Sequence, residues 1–321
     1  MRSETRSAAL RPSFLLSIDT EGDDVWSRPN PVQTRNAETL PRFQHLCERH
    51  DLRPTYLTNW EMANCPAFQE LGRDVLRRNV AEIGMHLHGW DSPPIAPLSS
   101  DDATHQPYLF EYPEAVRRQK IEVMTRCLED TFQIPILSHR AGRFGFDAVS
   151  ARALEALGYL VDCSVTPNVS WAAHPGSPTG RGGADFSAFP EHAYRIDLER
   201  IDRPGESRLL EIPMTIIRRR RPLPARLARK MLGKSVDRVF WLRPNGRNLK
   251  DLLEVLDIAE SEGRDYVQFT LHSSEFMPNG SPTFRTNESI EKLYDDMQVL
   301  FEAARGRFTG RTLCEHQSVF H

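Results

Sequence analysis

Two histidines stand two residues apart in Glu82-Ile83-Gly84-Met85-His86-Leu87-His88. Residues i and i+2 of a β-strand point to one face, so His86 and His88 would present two imidazoles to one cleft, the beginning of a divalent-metal site. Ordinary polar alternation at a strand end gives the same spacing, and the pair by itself leaves both readings open. The stretch Asp19-Thr20-Glu21-Gly22-Asp23-Asp24 sets four acids directly behind the apolar run 13–18. Turn chemistry explains Gly22 and one of the later aspartates; it explains Asp19 and Glu21 less well. His139, Arg140 and His272 are the remaining polar residues that follow apolar runs in this way.

The elements that must carry these residues alternate along the chain. Strands are expected at 13–18, 53–58, 81–88, 136–140, 159–165, 208–217, 266–272 and 310–314. Helices are expected at 38–50, 67–79, 249–262 behind Asn248, and 287–304. Another opens at Pro113 and carries the stripe Ile121, Met124, Leu128 and Phe132; a further one runs from an Asp147 cap to Gly158. Repeated β then α units predict an α/β fold, a distorted (β/α) barrel of about seven parallel strands. The functional side of such a fold lies at the carboxyl ends of its strands. Asp19, Glu21, His86, His88, His139, Arg140 and His272 all fall there, so one mouth should collect them.

Composition sets the limits. The chain has 321 residues, 39% of them hydrophobic, enough to bury a large core. We expect an arm at 1–12 and one barrel domain over 13–321, interrupted by a basic insertion at about 218–247. A formal net charge of −3 gives no general attraction to nucleic acid, and no nucleic-acid-binding motif is present. Five scattered cysteines without a Cys-x-x-Cys argue against a disulfide framework. With neither a signal-like segment nor a transmembrane run, a cytoplasmic location is expected.

Long irregular segments should surround the mouth. Residues 89–112 offer Trp90, His105, Tyr108 and Phe110, and 166–190 offer Trp171 and His174, aromatic rings suited to stacking on a sugar or to anchoring a loop. The run Arg218 to Arg221, with Arg226, Arg229, Lys230 and Lys234, is either a solvated flap or a docking surface for a phosphate-bearing partner such as a lipid-linked or nucleotide-linked sugar.

The assembled motifs resemble the polysaccharide deacetylase superfamily, the NodB-homology or carbohydrate esterase family 4 fold. They look closest to its WbmS-like branch, associated with O-antigen and surface-polysaccharide biosynthesis. The resemblance spans roughly residues 14–304. It rests on Ser17-Ile18-Asp19-Thr20-Glu21, Glu82 to His88, His139-Arg140-Ala141-Gly142-Arg143-Phe144-Gly145 and Thr270-Leu271-His272-Ser273-Ser274-Glu275, in family order. It implies a divalent metal, zinc first with cobalt, manganese or nickel as alternatives, and hydrolysis of an N-acyl group from an amino sugar or oligosaccharide. By the same resemblance Asp19 is the general base and Glu21, His86 and His88 are the metal ligands. Arg140 pairs with Asp19, and His272 is the general acid, oriented by Asp162 or Glu275. Trp90, Arg143 and Glu275 are the expected substrate contacts.

The chain departs from the family pattern in three places, one of them the third motif, where Ala141-Gly142-Arg143-Phe144 only partly matches the proline and aromatic that follow the family's arginine. Its second acid is Glu21, with Asp23 as a substitute, and its histidines are two residues apart where the family has four, the fourth position here being Trp90. A degenerate carbohydrate-binding member and a deformylase of a lipid-linked sugar are alternatives on the same fold. Amidohydrolases also use His-x-His, but they place it on the first strand, whereas here acids precede the pair.

Overall fold

A computed structural model describes residues 11–29, 31–176, 182–221, 223–231 and 236–320. The arm expected at 1–12 lies, up to residue 10, outside the described residues. The sheet is built from β1 (Ser13–Thr20), β2 (Pro54–Thr58), β3 (Glu82–Leu87), β4 (Ser138–Ala141), β5 (Val161–Asp162), β6 (Tyr194–Arg195) and β7 (Leu210–Glu211). It is completed by β10 (Tyr266–His272) and β11 (Thr309–Arg311), while β8 (Ile216–Arg220) and β9 (Asp237–Trp241) form a separate antiparallel pair. Strand order is β10-β1-β2-β3-β4-β5-β7-β6, all parallel except β6 against β7, with β11 paired to the start of β1.

The sheet curls until its ends nearly meet. Across the gap the Tyr266 hydroxyl donates to Pro213 O at 2.6 Å, the Gln268 N–H to Thr215 Oγ1 at 2.8 Å and the Thr270 N–H to Leu242 O at 3.3 Å. The result is a distorted barrel, as the β/α alternation predicts.

Alternation along each strand divides the side chains into two layers. Phe14, Leu16, Ile18, Ile83, Met85, Leu87, Val267, Phe269 and Leu271 face outward and join Phe43, Phe68, Met124, Leu256 and Met297 of the helices in the main core. Leu15, Leu57, Val161, Cys163, Leu210, Ile212 and Tyr266 fill the interior. Because β1 is buried on both faces, it reads as a continuous apolar run up to the point where its inner face turns polar.

Three expected elements differ. The strand expected at 208–217 divides into β7 and β8, because Pro213 has no N–H to continue a ladder. The strand expected at 159–165 shortens to β5, since the Val165 N–H donates to the Glu211 side chain at 3.0 Å. The last strand ends at Arg311, where Thr312 caps a helix over Leu313–Val319 with Glu315 returning the bond. Asn248 precedes its helix but does not cap it; its side chain ties Asn245 N–H to Arg243 O. Asp147 does cap Ala148–Ala156, accepting from the Ser150 N–H at 3.0 Å.

The arginine-rich stretch contains β8, the helix Leu223–Met231 and β9. Arg219 pairs with Glu262, and Arg238 with Asp251 and Glu254. Among the described residues no helix is long and apolar enough to cross a membrane.

Candidate functional site

The phase that sends Leu15 into the barrel also sends Ser17 and Asp19 there. The same phase brings in His86 from β3, Arg140 from β4, and Gln268, Thr270 and His272 from β10. Arg140 is fully buried and uses every arm of its guanidinium. Nη1 donates to Asp19 Oδ1 at 2.5 Å and to Thr270 Oγ1 at 3.2 Å, Nη2 to Ser17 Oγ at 2.7 Å, and Nε to Cys163 O at 3.1 Å. Gln268, with its amide oxygen toward Arg140 Nη2 at 2.8 Å and its nitrogen toward Ile212 O, completes the shell. Burial pushes the Asp19 carboxyl up, but the charges of Arg140, His86 and His272 outweigh it and hold the group below its ordinary value.

Glu21, His86 and His88 bring one ligand atom each to within 4.8 Å of one another, all buried. Glu21 Oε2 lies 3.4 Å from His86 Nε2 and 3.3 Å from His88 Nε2, and the two nitrogens are 3.1 Å apart. Each ring is fixed from behind: His86 Nδ1 meets Arg140 O at 3.0 Å, and His88 Nδ1 meets Asp91 Oδ2 at 3.3 Å. Those oxygens only accept, so each Nδ1 carries the hydrogen, and in the neutral rings both Nε2 lone pairs face the Glu21 carboxylate. Three converging lone-pair donors repel one another unless a cation sits among them. Glu21 Oε1, buried without a hydrogen-bond partner, suits a cationic partner as well. Burial would lower the His88 pKa, but Asp91 and Glu21 raise it well above the ordinary value, so the pocket favours positive charge at this point. The residues therefore fit a divalent cation.

Asp23, the substitute acid, is occupied elsewhere. Its carboxylate accepts from the Asn36 N–H at 3.0 Å, Asn36 Nδ2 at 2.8 Å and Arg35 Nε at 2.9 Å, which anchors the loop after β1. Glu21 is held in register by Ser273, whose hydroxyl receives its N–H and donates to its carbonyl, both at 3.1 Å.

His272 stands opposite the triad. Its Nε2 is 3.8 Å from Asp19 Oδ2 and 3.7 Å from Glu21 Oε1, and its Nδ1 is 3.0 Å from Glu275 Oε2. Burial would lower its pKa, yet Glu21 and Glu275 raise it above the ordinary value. Glu275 is 1% exposed and also accepts from Arg243 Nη2 at 2.8 Å; it lies beneath His272 instead of lining the cleft. Of the two expected orienting acids, Asp162 is elsewhere. It faces the outer layer and binds His139 Nδ1 at 2.6 Å. His139 therefore does not join the mouth, because its neighbour Arg140 takes the inward phase of β4.

A cleft of about 470 Å³ opens over these groups. Trp26, Trp90, Tyr108, Phe144, Trp171 and Trp241 line it, with Arg28, Arg143 and Arg243 as its arginines. Trp90 stacks on His88 at 4.4 Å, and Trp26 meets His272 edge-on at 4.8 Å. Phe110 lies behind Tyr108, stacked at 5.1 Å. Sequence reasoning missed Asp91, Trp26, Trp241 and Arg243. Asp91 has a local signal, an acid three residues after His88; Trp241 and Arg243 belong to the basic stretch and have none.

Comparison with known proteins gives the fold a context. No family model matches the chain, and no curated protein does. Solved structures do match. One from Parabacteroides distasonis, assigned as a glycoside hydrolase/deacetylase, aligns with TM-score 0.61 and 11% identity over 96% of this chain and 71% of its own. One from Mycobacterium smegmatis, assigned as a polysaccharide deacetylase, gives 0.53 and 12% over 97% and 91%. An allantoinase gives 0.51 and 13% over 95% and 88%. At these identities the likeness is one of fold: this chain has the curled, mostly parallel barrel of the polysaccharide deacetylases.

Proposed function

We propose that the protein is a metal-dependent hydrolase that removes an N-acyl group, acetyl first, from an amino sugar used in surface-polysaccharide synthesis of the O-antigen type, as in the WbmS-like branch. The observation that carries this reading is the meeting, in one cleft, of the Glu21–His86–His88 donor set with an Arg140-held Asp19 and a Glu275-held His272.

A divalent cation, zinc first, held by Glu21, His86 and His88 would supply Lewis acidity toward a carbonyl oxygen and would acidify water. The chain's own residues move the protons. Asp19 has one oxygen committed to Arg140 and leaves Oδ2 toward the cleft, where it takes a proton from the attacking water. The water oxygen bonds to the acyl carbon, and the C–N bond then breaks. His272 Nε2 gives its proton to the departing amine, which is a poor leaving group as an anion. Glu275 is a positioning residue: it holds His272 Nδ1–H and keeps the ring cationic until that step. Trp90 and the cleft's other rings offer platforms for the sugar. We place the reaction in the cytoplasm, where the five unpaired cysteines are stable.

Metal content of protein purified without a histidine tag, beside His86→Ala and His88→Ala, tests the reading together with acetate release from acylated amino sugars. About one equivalent of a divalent metal, lost in both variants, is expected. Protein that takes up no zinc, cobalt, manganese or nickel would sink it.

A further inference from the structure

Arg143 lines the cleft but has no task in the proposed hydrolysis, and the chain strains to place it. Arg143 has φ 52° and ψ 26°, and Phe144 has φ 56°, two consecutive left-handed residues with β-carbons. Such conformations are disfavoured outside glycine and asparagine and persist where the surroundings enforce them. The reversal starts at Gly142, which abuts the His88 ring, and Arg143 lines the same cleft as Glu21, His86 and His88.

The charge delivered there is unmatched. Arg117, Arg140, Arg238 and Arg243 each pair with a carboxylate. Among the described residues Arg143 pairs with none; its guanidinium carbon lies 5.3 Å from the centre of the Tyr108 ring. Phe144 and Trp171 stack at 5.3 Å, with Trp241 6.4 Å from each, and form an apolar wall in the same cleft. The run Arg218 to Arg221 is not among the cleft's lining residues.

Resting on the hydrolase reading, we propose that Arg143 binds an anionic substituent of the substrate, a phosphate or a carboxylate, so that acidic amino sugars are the substrate class. A guanidinium presents paired N–H donors that match either oxyanion, while the aromatic wall takes the apolar face of the sugar ring.

The test is equilibrium binding to the full chain, read by tryptophan fluorescence, with N-acetylglucosamine, N-acetylglucosamine 1-phosphate and N-acetylglucosaminuronic acid as probes. At least one acidic probe should bind roughly tenfold more tightly than the neutral sugar, with the preference weakening as salt rises. Arg143→Asn, a residue that tolerates the left-handed backbone, should abolish the preference and leave neutral-sugar binding within about twofold. Arg143→Lys should keep part of it. Which acid is preferred identifies the substituent. Equal binding of neutral and acidic sugars, no detectable binding of either acid, or a preference that survives Arg143→Asn would overturn the assignment. Metal content of the same samples separates the two proposals. Retained metal without an anion preference defeats the role of Arg143 alone, and an anion preference without metal defeats the hydrolase reading alone.

Discussion

Gly142 lies so close to His88 that a β-carbon on it would stand 2.0 Å from the ring's Cδ2 and 2.7 Å from Leu87 O. Glycine at this position is what lets His88, only two residues from His86, turn its Nε2 toward Glu21.

Gly142→Ala should therefore displace the ring without disturbing the outer core. We expect metal affinity to fall by about 10- to 100-fold, the range typical of altered ligand orientation. Calorimetric titration with zinc checks this, with Asp91→Asn as a parallel loss of the support behind His88. Wild-type affinity in Gly142→Ala would contradict the proposed ligand role of His88.

The Asp19–Arg140 pair is buried on both sides, at 4% and 0% side-chain exposure. Arg140→Met leaves the carboxylate without its counter-charge and should cost about 3–5 kcal/mol in urea unfolding. The double variant Asp19→Asn/Arg140→Met should recover part of that loss, although it cannot restore activity. A single-variant cost below about 1 kcal/mol would show that the pair does not act as a unit.

Glu275→Gln tests the acid. Burial favours neutral His272, and the charges of Glu21 and Glu275 reverse that preference. With one of those charges removed, His272 loses its proton at lower pH. The alkaline limb of kcat/KM should move down, while the acid limb stays with Asp19. An unmoved alkaline limb would assign the general acid to another group.

Glu211 offers a prediction about stability alone. Burial and then the charge of Asp162 push its carboxyl well above the ordinary 4.5. Between the unfolded and folded values the native state holds the extra proton, so stability falls as pH rises through that window. Glu211→Gln keeps the oxygen that accepts from Val165 and removes the titration. Unfolding curves from about pH 5 to about pH 8 should show the variant gaining on the wild type as pH rises. A gap that does not grow would exclude this cause.

The sequence by itself determined the barrel, because buried parallel strands read as apolar runs and their order needs only the alternation of periods. It also determined which residues stand at the strand ends. Asp19, His86, Arg140 and His272 are legible because a polar residue after an apolar run has few structural reasons to be there. What it left open was which of two adjacent polar residues enters the barrel. Arg140 does and His139 does not, since the inward phase of β4 is set by its pairing with β3 and β5. Only the tertiary structure retired Asp23 to the Asn36–Arg35 anchor, gave His272 to Glu275 in place of Asp162, and brought Arg243 and Trp241 from the basic stretch to the cleft. Those outcomes depend on contacts between residues far apart in the chain, and local periodicity carries no record of them.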